Sequence, residues 1–315
     1  MNNRLREHYE QLLALARPLG PLRIGVVHPC DAPSMSGVAA ACAEGLIAPL
    51  LIGPRHKIEA AAQAAGVDLT GYELAAAPHS HAAAALGVRL VREGRVEALM
   101  KGSLHTDELM AAVVDRELGL RTGRRISHCF IMDVPGRPEP LIITDAAINI
   151  APTLAEKVDI VQNAIDLARA LRFPEVRVAI LSATETVNPK LPSTVEAAAL
   201  CKMADRRQIT GGVLDGPLAL DNAISAEAAR IKQLESPVAG RANVLVVPDL
   251  EAGNMLAKSL SFLAGADAAG IVLGARVPIV LTSRSDSLQA RLASTAVAVL
   301  LAAARVADPG KTVAG

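Results

Sequence analysis

Short apolar runs alternate with helix-period segments along almost the whole of this 315-residue chain, and that alternation restricts the fold more than any other feature. Strand-like runs fall at Arg23 to Val27, Pro49 to Ile52, Tyr72 to Ala75, Ala98 to Lys101, Ile126 to Asp133 and Leu141 to Thr144. Helical patterns such as Ser36 to Gly45 and His79 to Glu93 lie between them. A second series opens at Pro152, where Leu154, Val158, Val161, Ile165 and Ala168 recur at spacings of four and three, as one face of a helix does. Strands are expected again at Val176 to Leu181, Gly212 to Leu214, Asn243 to Val247, Gly270 to Leu273 and Val277 to Leu281. Repeated βα units of this kind build an α/β fold of mostly parallel sheets flanked by helices. The segment HCFIMDVPGRPEPLIIT differs, since a Pro/Gly turn joins its two strands and permits an antiparallel pair.

The length allows two α/β domains. A boundary is expected near Asn149, giving a first domain of residues 1–149 plus 283–315 and a second of 150–282, with an active site in the cleft between them. Lysine and arginine balance aspartate and glutamate at 32 each, so nothing favours a nucleic acid or an acidic membrane as partner. Tyr9, Tyr72, Phe130, Phe173 and Phe262 are the whole aromatic set, too few for base stacking. Cys30, Cys42, Cys129 and Cys201 lack paired metal spacing and read as reduced thiols, which fits a cytoplasmic protein. The alanine-rich run from Leu292 to Ala304 comes nearest to a membrane span. Arg291 and Arg305 bracket it closely, and a buried terminal helix is expected.

Five polar clusters interrupt the apolar pattern where strands end. KGSLHTDEL places Lys101, Ser103, His105 and Thr106 after a strand, with Gly102 for close backbone approach and Thr106 and Asp107 able to cap a helix. ITDAAINIAP carries Asn149, a hinge residue or a ligand contact. DGPLALDNAIS carries Asp215, which suits a turn, a metal or a base. SPVAGRANVLVVPDLEAGN has Arg241 in a glycine loop before a strand and Asn254 in a helix after it, an order that can cradle phosphate without matching a P-loop or dinucleotide fingerprint. The fifth, TSRSDS, puts Ser283, Arg284 and Asp286 on a strand-to-helix turn. There, backbone amides, a helix N-terminus and a guanidinium fork would meet at one anion. No HExxH, CxxC or GxSxG is present, which counts against a metalloprotease, a zinc site and a serine hydrolase.

Taken in order, KGSLHT, LRTGRRISH, TDAAINIAPT, ETVNPKLPST, DGPLALDNAIS, SPVAGRANVLVVPDLEAGN and GIVLGARVPIVLTSRSDS resemble the phosphate acetyl/butyryl transferase family, and most of all its butyryl branch. The chain is also similar to the C-terminal half of fused enoyl-CoA hydratase/phosphate acyltransferases. The resemblance implies a two-domain fold like that of isocitrate/isopropylmalate dehydrogenases, a homodimer, and exchange of a short acyl group between CoA and orthophosphate. CoA and phosphate would then be substrates, with no metal and no cofactor. It implies catalytic roles for Ser283 and Arg284, with Asp286 a candidate base, because Ala290 stands where acetyl enzymes carry an aspartate. Lys101, Ser103, His105, Thr106, Asn149, Asp215, Arg241 and Asn254 would contact substrate. Two alternatives stay open: a metal- and NAD-dependent 2-hydroxy-acid dehydrogenase of the same fold, and a CoA-binding protein without turnover.

Overall fold

The computed structural model describes residues 3–283 and 286–307. In chain order its helices are α1 (Asn3–Ala16), α2 (Ala32–Ala43), α3 (Arg55–Ala65), α4 (Ser80–Arg92), α5 (Thr106–Val114), α6 (Leu154–Ala170), α7 (Pro192–Asp205), α8 (Leu220–Ile224), α9 (Ala226–Ile231), α10 (Leu250–Leu263) and α11 (Leu288–Ala307). The strands are β1 (Leu22–Val27), β2 (Ile47–Gly53), β3 (Glu73–Ala76), β4 (Ala98–Lys101), β5 (Ser127–Asp133), β6 (Leu141–Thr144), β7 (Arg177–Leu181), β8 (Val213–Leu218), β9 (Val244–Val246), β10 (Asp267–Leu273) and β11 (Ile279–Val280). Among the described residues the chain forms two compact units, one of residues 9–124 and 269–307, the other of 3–8 and 125–268.

In the β1 unit the strands run in the order β3-β2-β1-β4-β11-β10. All neighbours are parallel except β10 and β11, which pair antiparallel through Ile271 with Val280. Ile24, Val26, Leu51, Ile52, Leu99, Val272 and Ile279 are fully buried, as expected of strands covered on both faces. Each such side chain contributes about 1.5–3 kcal/mol when removed from water. Helix starts are locally specified: Asp31 caps α2 by accepting from the Ser34 amide at 2.8 Å, and His79 caps α4 by accepting from Ala82 at 3.2 Å. At α5 the N-cap position is His105, which makes no side-chain cap bond, while Thr106 is the first helical residue. The expected cap by Thr106 and Asp107 is therefore not formed, and Asp107 and Glu108 instead place negative charge in the first turn.

The β5 unit orders its strands β5-β6-β9-β7-β8. β5 and β6 form the antiparallel pair anticipated from the Pro/Gly turn, with Met132 opposite Leu141; β6, β9, β7 and β8 are parallel. Helix α6 opens with a capping box in which Thr153 and Glu156 satisfy each other's amides, and it buries Ile160, Val161, Ala164 and Ile165.

The division points differ from the expected 149/150 and 282/283. The β5–β6 hairpin lies before Asn149 in sequence, yet β6 joins β9 through Ile143 opposite Leu245 and so belongs with the later strands. Helix α11 is the one described helix long and apolar enough to cross a membrane, and its face from Arg291 through Leu301 is buried against its own unit. It contacts α2 and β11, in line with a terminal core helix.

Candidate active site

Parallel strands bring their carboxyl ends to one rim, where α/β proteins bind ligands. In the β1 unit that rim gathers His28 after β1, Lys101 at the end of β4 and Thr282 after β11. The three loops are stitched together. Gly102 donates to the Val27 carbonyl at 2.8 Å and Ser103 donates to the His28 carbonyl at 2.8 Å. Only glycine fits at 102, since a Cβ there would lie 2.5 Å from the His28 carbonyl oxygen. His28 adopts a left-handed φ of 55°. The Ser103 hydroxyl donates to the His28 carbonyl at 2.9 Å, accepts from the Cys30 amide at 3.3 Å and lies 3.1 Å from His28 Nδ1. Burial, assisted by the Lys57 charge, lowers the His28 pKa and keeps its imidazole neutral at neutral pH. Lys101 is only 6% exposed, with its ammonium donating to the Leu104 carbonyl at 3.0 Å.

The turn into α11 is held from both ends. The Ser283 amide donates to Asp286 Oδ2 at 2.7 Å, and the Asp286 amide returns a bond to the Ser283 carbonyl at 3.2 Å. Ser287 then caps the helix by accepting from the Ala290 amide at 3.1 Å. Asp286 thus directs a carboxylate oxygen at the turn backbone, while Ser283 itself is exposed. Arg284, which the sequence marks as the anion-gripping cation, lies outside the described residues.

Behind this turn lies Arg291, 8% exposed. Lys101 and Arg291 line one narrow recess of about 10 Å³, room for a water molecule, together with Ser34, Thr282, Thr295, Gly37, Val26 and Met100. Among the described residues that line it there is no carboxylate. Both side chains are largely desolvated and donate to hydroxyl and backbone oxygens around it.

The β5 unit builds its own polar cluster at the corresponding rim. Asp145, 3% exposed, accepts from the amides of Ala147 at 2.9 Å and Ile148 at 3.0 Å and from the side-chain amide of Asn149 at 2.5 Å. Asn149 accepts from Arg125 Nε at 2.7 Å and donates to the Ile126 carbonyl at 2.9 Å. Asn254 on α10 reaches the Ala146 carbonyl at 3.2 Å. His128 is buried beside Asp145, and burial pushes its pKa down to about 4 despite the opposing pull of that carboxylate.

The structure therefore brings Lys101, Ser103, Ser283 and Asp286 to one rim and joins Asn149 to Asn254 at another. His105 and Thr106 are exposed at the start of α5. Asp215 is in β8, separated from β6 by the two strands β9 and β7, and accepts from its neighbour's amide. Arg241 precedes β9 and so occupies the amino end of the parallel strands, opposite Asn149; its carbonyl accepts from Arg177 Nε at 2.8 Å in a network with Asn243 and Glu175. Among the described residues no group of three His, Cys, Asp or Glu side chains is placed to hold a metal ion.

Sequence reasoning missed Arg291 and His28 as rim residues. The signal for Arg291 was a lone cation in register with the buried face of an alanine-rich helix. His28 carried no signal beyond following a strand. All four cysteines are free, and burial raises the Cys30 thiol to about 11 and the Cys129 and Cys201 thiols to about 12.

The fold is a mostly parallel α/β arrangement with polar residues gathered at the carboxyl rim of the strands, where proteins of this class bind ligands. Residues 73–299 match the family described as Phosphate acetyl/butaryl transferase, and the chain belongs to that family. It is 64% identical to a phosphate acetyltransferase of Rhizobium meliloti over 94% of each chain. It is 39% identical to a phosphate butyryltransferase of Clostridium acetobutylicum over 89% of this chain and 93% of the other. A crystal structure of a branched-chain phosphotransacylase from Enterococcus faecalis V583 superposes with a TM-score of 0.78 at 30% identity, covering 89% of this chain and 99% of that one. The chain is thus a phosphate acyltransferase, which sets aside the dehydrogenase alternative. The expected likeness to the isocitrate/isopropylmalate dehydrogenase type gains no support from these relatives.

Proposed function

We propose that the chain interconverts acetyl-CoA and orthophosphate with acetyl phosphate and CoA, binding the phosphoryl group at the Lys101–Thr282–Ser283 rim. The observation that carries this reading is the rim itself, where the buried Lys101 lies beside Thr282 and the Ser283 turn, with Thr282 Oγ1 3.5 Å from the Lys101 carbonyl. A phosphate oxygen attacks the thioester carbonyl, the C–S bond breaks, and the departing thiolate takes up a proton. In reverse the thiol must lose that proton, and its ordinary pKa of about 8.5 makes a positive field useful. Lys101 supplies such a field, and Ser283 and Arg284 are the groups assigned to grip phosphate. Asp286 is the candidate proton acceptor on the turn. Ser103, His105, Thr106, Asn149, Asp215, Arg241 and Asn254 rank behind these as substrate contacts, and Arg241 ranks last because of its opposite rim.

The identity of 64% to a protein named phosphate acetyltransferase, against 39% to one named phosphate butyryltransferase, weighs toward acetyl and against the butyryl preference drawn from the sequence. A homodimer is supported by α10, where Met255 and Phe262 lie two turns apart on one face with Leu263 at its edge, 62%, 82% and 87% exposed, an apolar surface suited to a second copy. Four free cysteines accord with a cytoplasmic setting.

A panel of acyl-CoAs from acetyl to hexanoyl, with phosphate and colorimetric detection of released thiol, tests the reading. Acetyl-CoA is expected to give the highest kcat/KM. Lys101→Met and Arg284→Ala are each expected to lose on the order of 10²-fold in rate, the effect of removing one oriented charge or donor from a transition-state site. Calorimetric binding of CoA with no turnover of any acyl-CoA would leave a binding protein instead.

A further inference from the structure

We infer that Arg291 is a positioning residue that locks the Ser283–Asp286 turn into the geometry that acyl transfer requires, and this rests on the reading above. Three of its donors close on that turn and on the residue before it. Nη2 donates to the Ser283 carbonyl at 2.7 Å, Nε to the Asp286 carbonyl at 3.4 Å, and Nη1 to Thr282 Oγ1 at 3.1 Å. One guanidinium therefore holds both ends of the short segment that contains Arg284 and Ser285. Its planar fork can span separate acceptors in a way that a lysine ammonium cannot.

The cost of placing it there shows that packing alone does not account for it. Arg291 is 8% exposed, and among the described residues it forms no ion pair. The nearby Asp286 carboxylate instead accepts from the Ser283 amide at 2.7 Å. An aliphatic side chain would fill the same core position of α11 without desolvating a charge. The guanidinium instead supplies a second donor to the Ser283 carbonyl, which already accepts from the Asp286 amide, and a donor to the Asp286 carbonyl.

Helix α2 completes the arrangement. Gly37 leaves room for the arginine stem, since a Cβ built there would lie 3.1 Å from Arg291 Cδ and 3.7 Å from its Cβ. The nearest atom belongs to the arginine, so a methyl at position 37 displaces Arg291 by a few tenths of an ångström and pulls its fork against the turn. A residue on a different helix, remote in sequence from TSRSDS, thereby acts on the same bonds.

The test compares wild type, Arg291→Ala, Arg291→Lys, Gly37→Ala and the Gly37→Ala/Arg291→Ala double variant, in thiol-release assays with acetyl-CoA and phosphate. Arg291→Ala is expected to lower kcat by about 10²-fold with the KM for acetyl-CoA changed less than about threefold, the pattern of a lost transition-state interaction. Added guanidinium at millimolar concentration restores about tenfold of that loss, and Arg291→Lys recovers only part of it. Gly37→Ala lowers kcat several-fold alone but adds nothing to Arg291→Ala, because the clash has lost its partner.

Unchanged kcat in Arg291→Ala, a change confined to KM, or full additivity with Gly37→Ala would overturn the assignment. Hydrogen exchange at the Ser283 and Asp286 amides gives a readout without substrate and is expected to quicken in Arg291→Ala. Absence of turnover in wild type with every acyl-CoA refutes the acyltransfer reading, while unaltered exchange refutes the clamp, so the two failures are distinguishable.

Discussion

His128 makes the stability of this protein fall on acidification. The ring is 2% exposed in β5, packs edge-on against Phe130 with centroids 4.5 Å apart, and leaves Nδ1 without a hydrogen-bond partner. Burial carries its pKa from 6.5 down to about 4, with Asp145 pulling weakly the other way. Between those values the unfolded chain binds a proton that the folded chain refuses, so stability is complete above about pH 6.5 and is lost as pH falls toward 4. The whole interval corresponds to about 3–4 kcal/mol, of which about 2 kcal/mol is lost between pH 7 and pH 5. Urea unfolding followed by far-ultraviolet circular dichroism at the two pH values measures this, with His128→Leu as the reference that cannot titrate. Each protein is compared with itself, so the packing change made by leucine cancels. Wild type is expected to lose about 2 kcal/mol more than the variant on acidification. Equal losses in the two proteins would refute the reasoning, because the imidazole would then have to be solvated or charged in the folded state.

Two further outcomes follow from groups already described. Cys30→Ser is expected to keep kcat within about twofold, since a thiol raised to about 11 is protonated at neutral pH and is no nucleophile; loss of thiol-release activity would revive a covalent acyl-cysteine route. If the proposed dimer forms through α10, Phe262→Glu is expected to convert it to a monomer in sedimentation velocity with its circular dichroism retained, since a carboxylate cannot be buried unpaired at a two-fold interface. A dimer that persists would show that the second copy docks elsewhere.

The order of strands and helices was legible because buried parallel strands read as short apolar runs, and β1, β4 and β6 fall within a residue of expectation. Ends were harder where polar residues continue a strand. β8 was expected to stop at Leu214 but runs on to Leu218 through Asp215 and Gly216, since Asp215 pairs beside Ala179 in the register with β7. The reverse happened at β11, where a run of five apolar residues supplies only Ile279 and Val280 to the ladder. Pairing partners decide such limits, and partners distant in sequence leave no local mark. The same holds for the site. Lys101, Ser103 and Ser283 stood out as polar residues at strand ends, whereas Arg291 was read as a bracket on an apolar helix. Its importance comes from carbonyl oxygens at 283 and 286, and backbone acceptors have no letter in the sequence.

The few rings in this chain are unevenly distributed. With no tryptophan, intrinsic emission rests on Tyr9 and Tyr72, and both belong to the unit that holds Lys101 and Arg291. Fluorescence is therefore a built-in local probe: its signal tracks loosening or ligand arrival in that half and is blind to melting of the β5–β9 half. A tryptophan placed at Phe130 would give the silent half a colour of its own, and the two halves could then be watched unfolding separately in one cuvette.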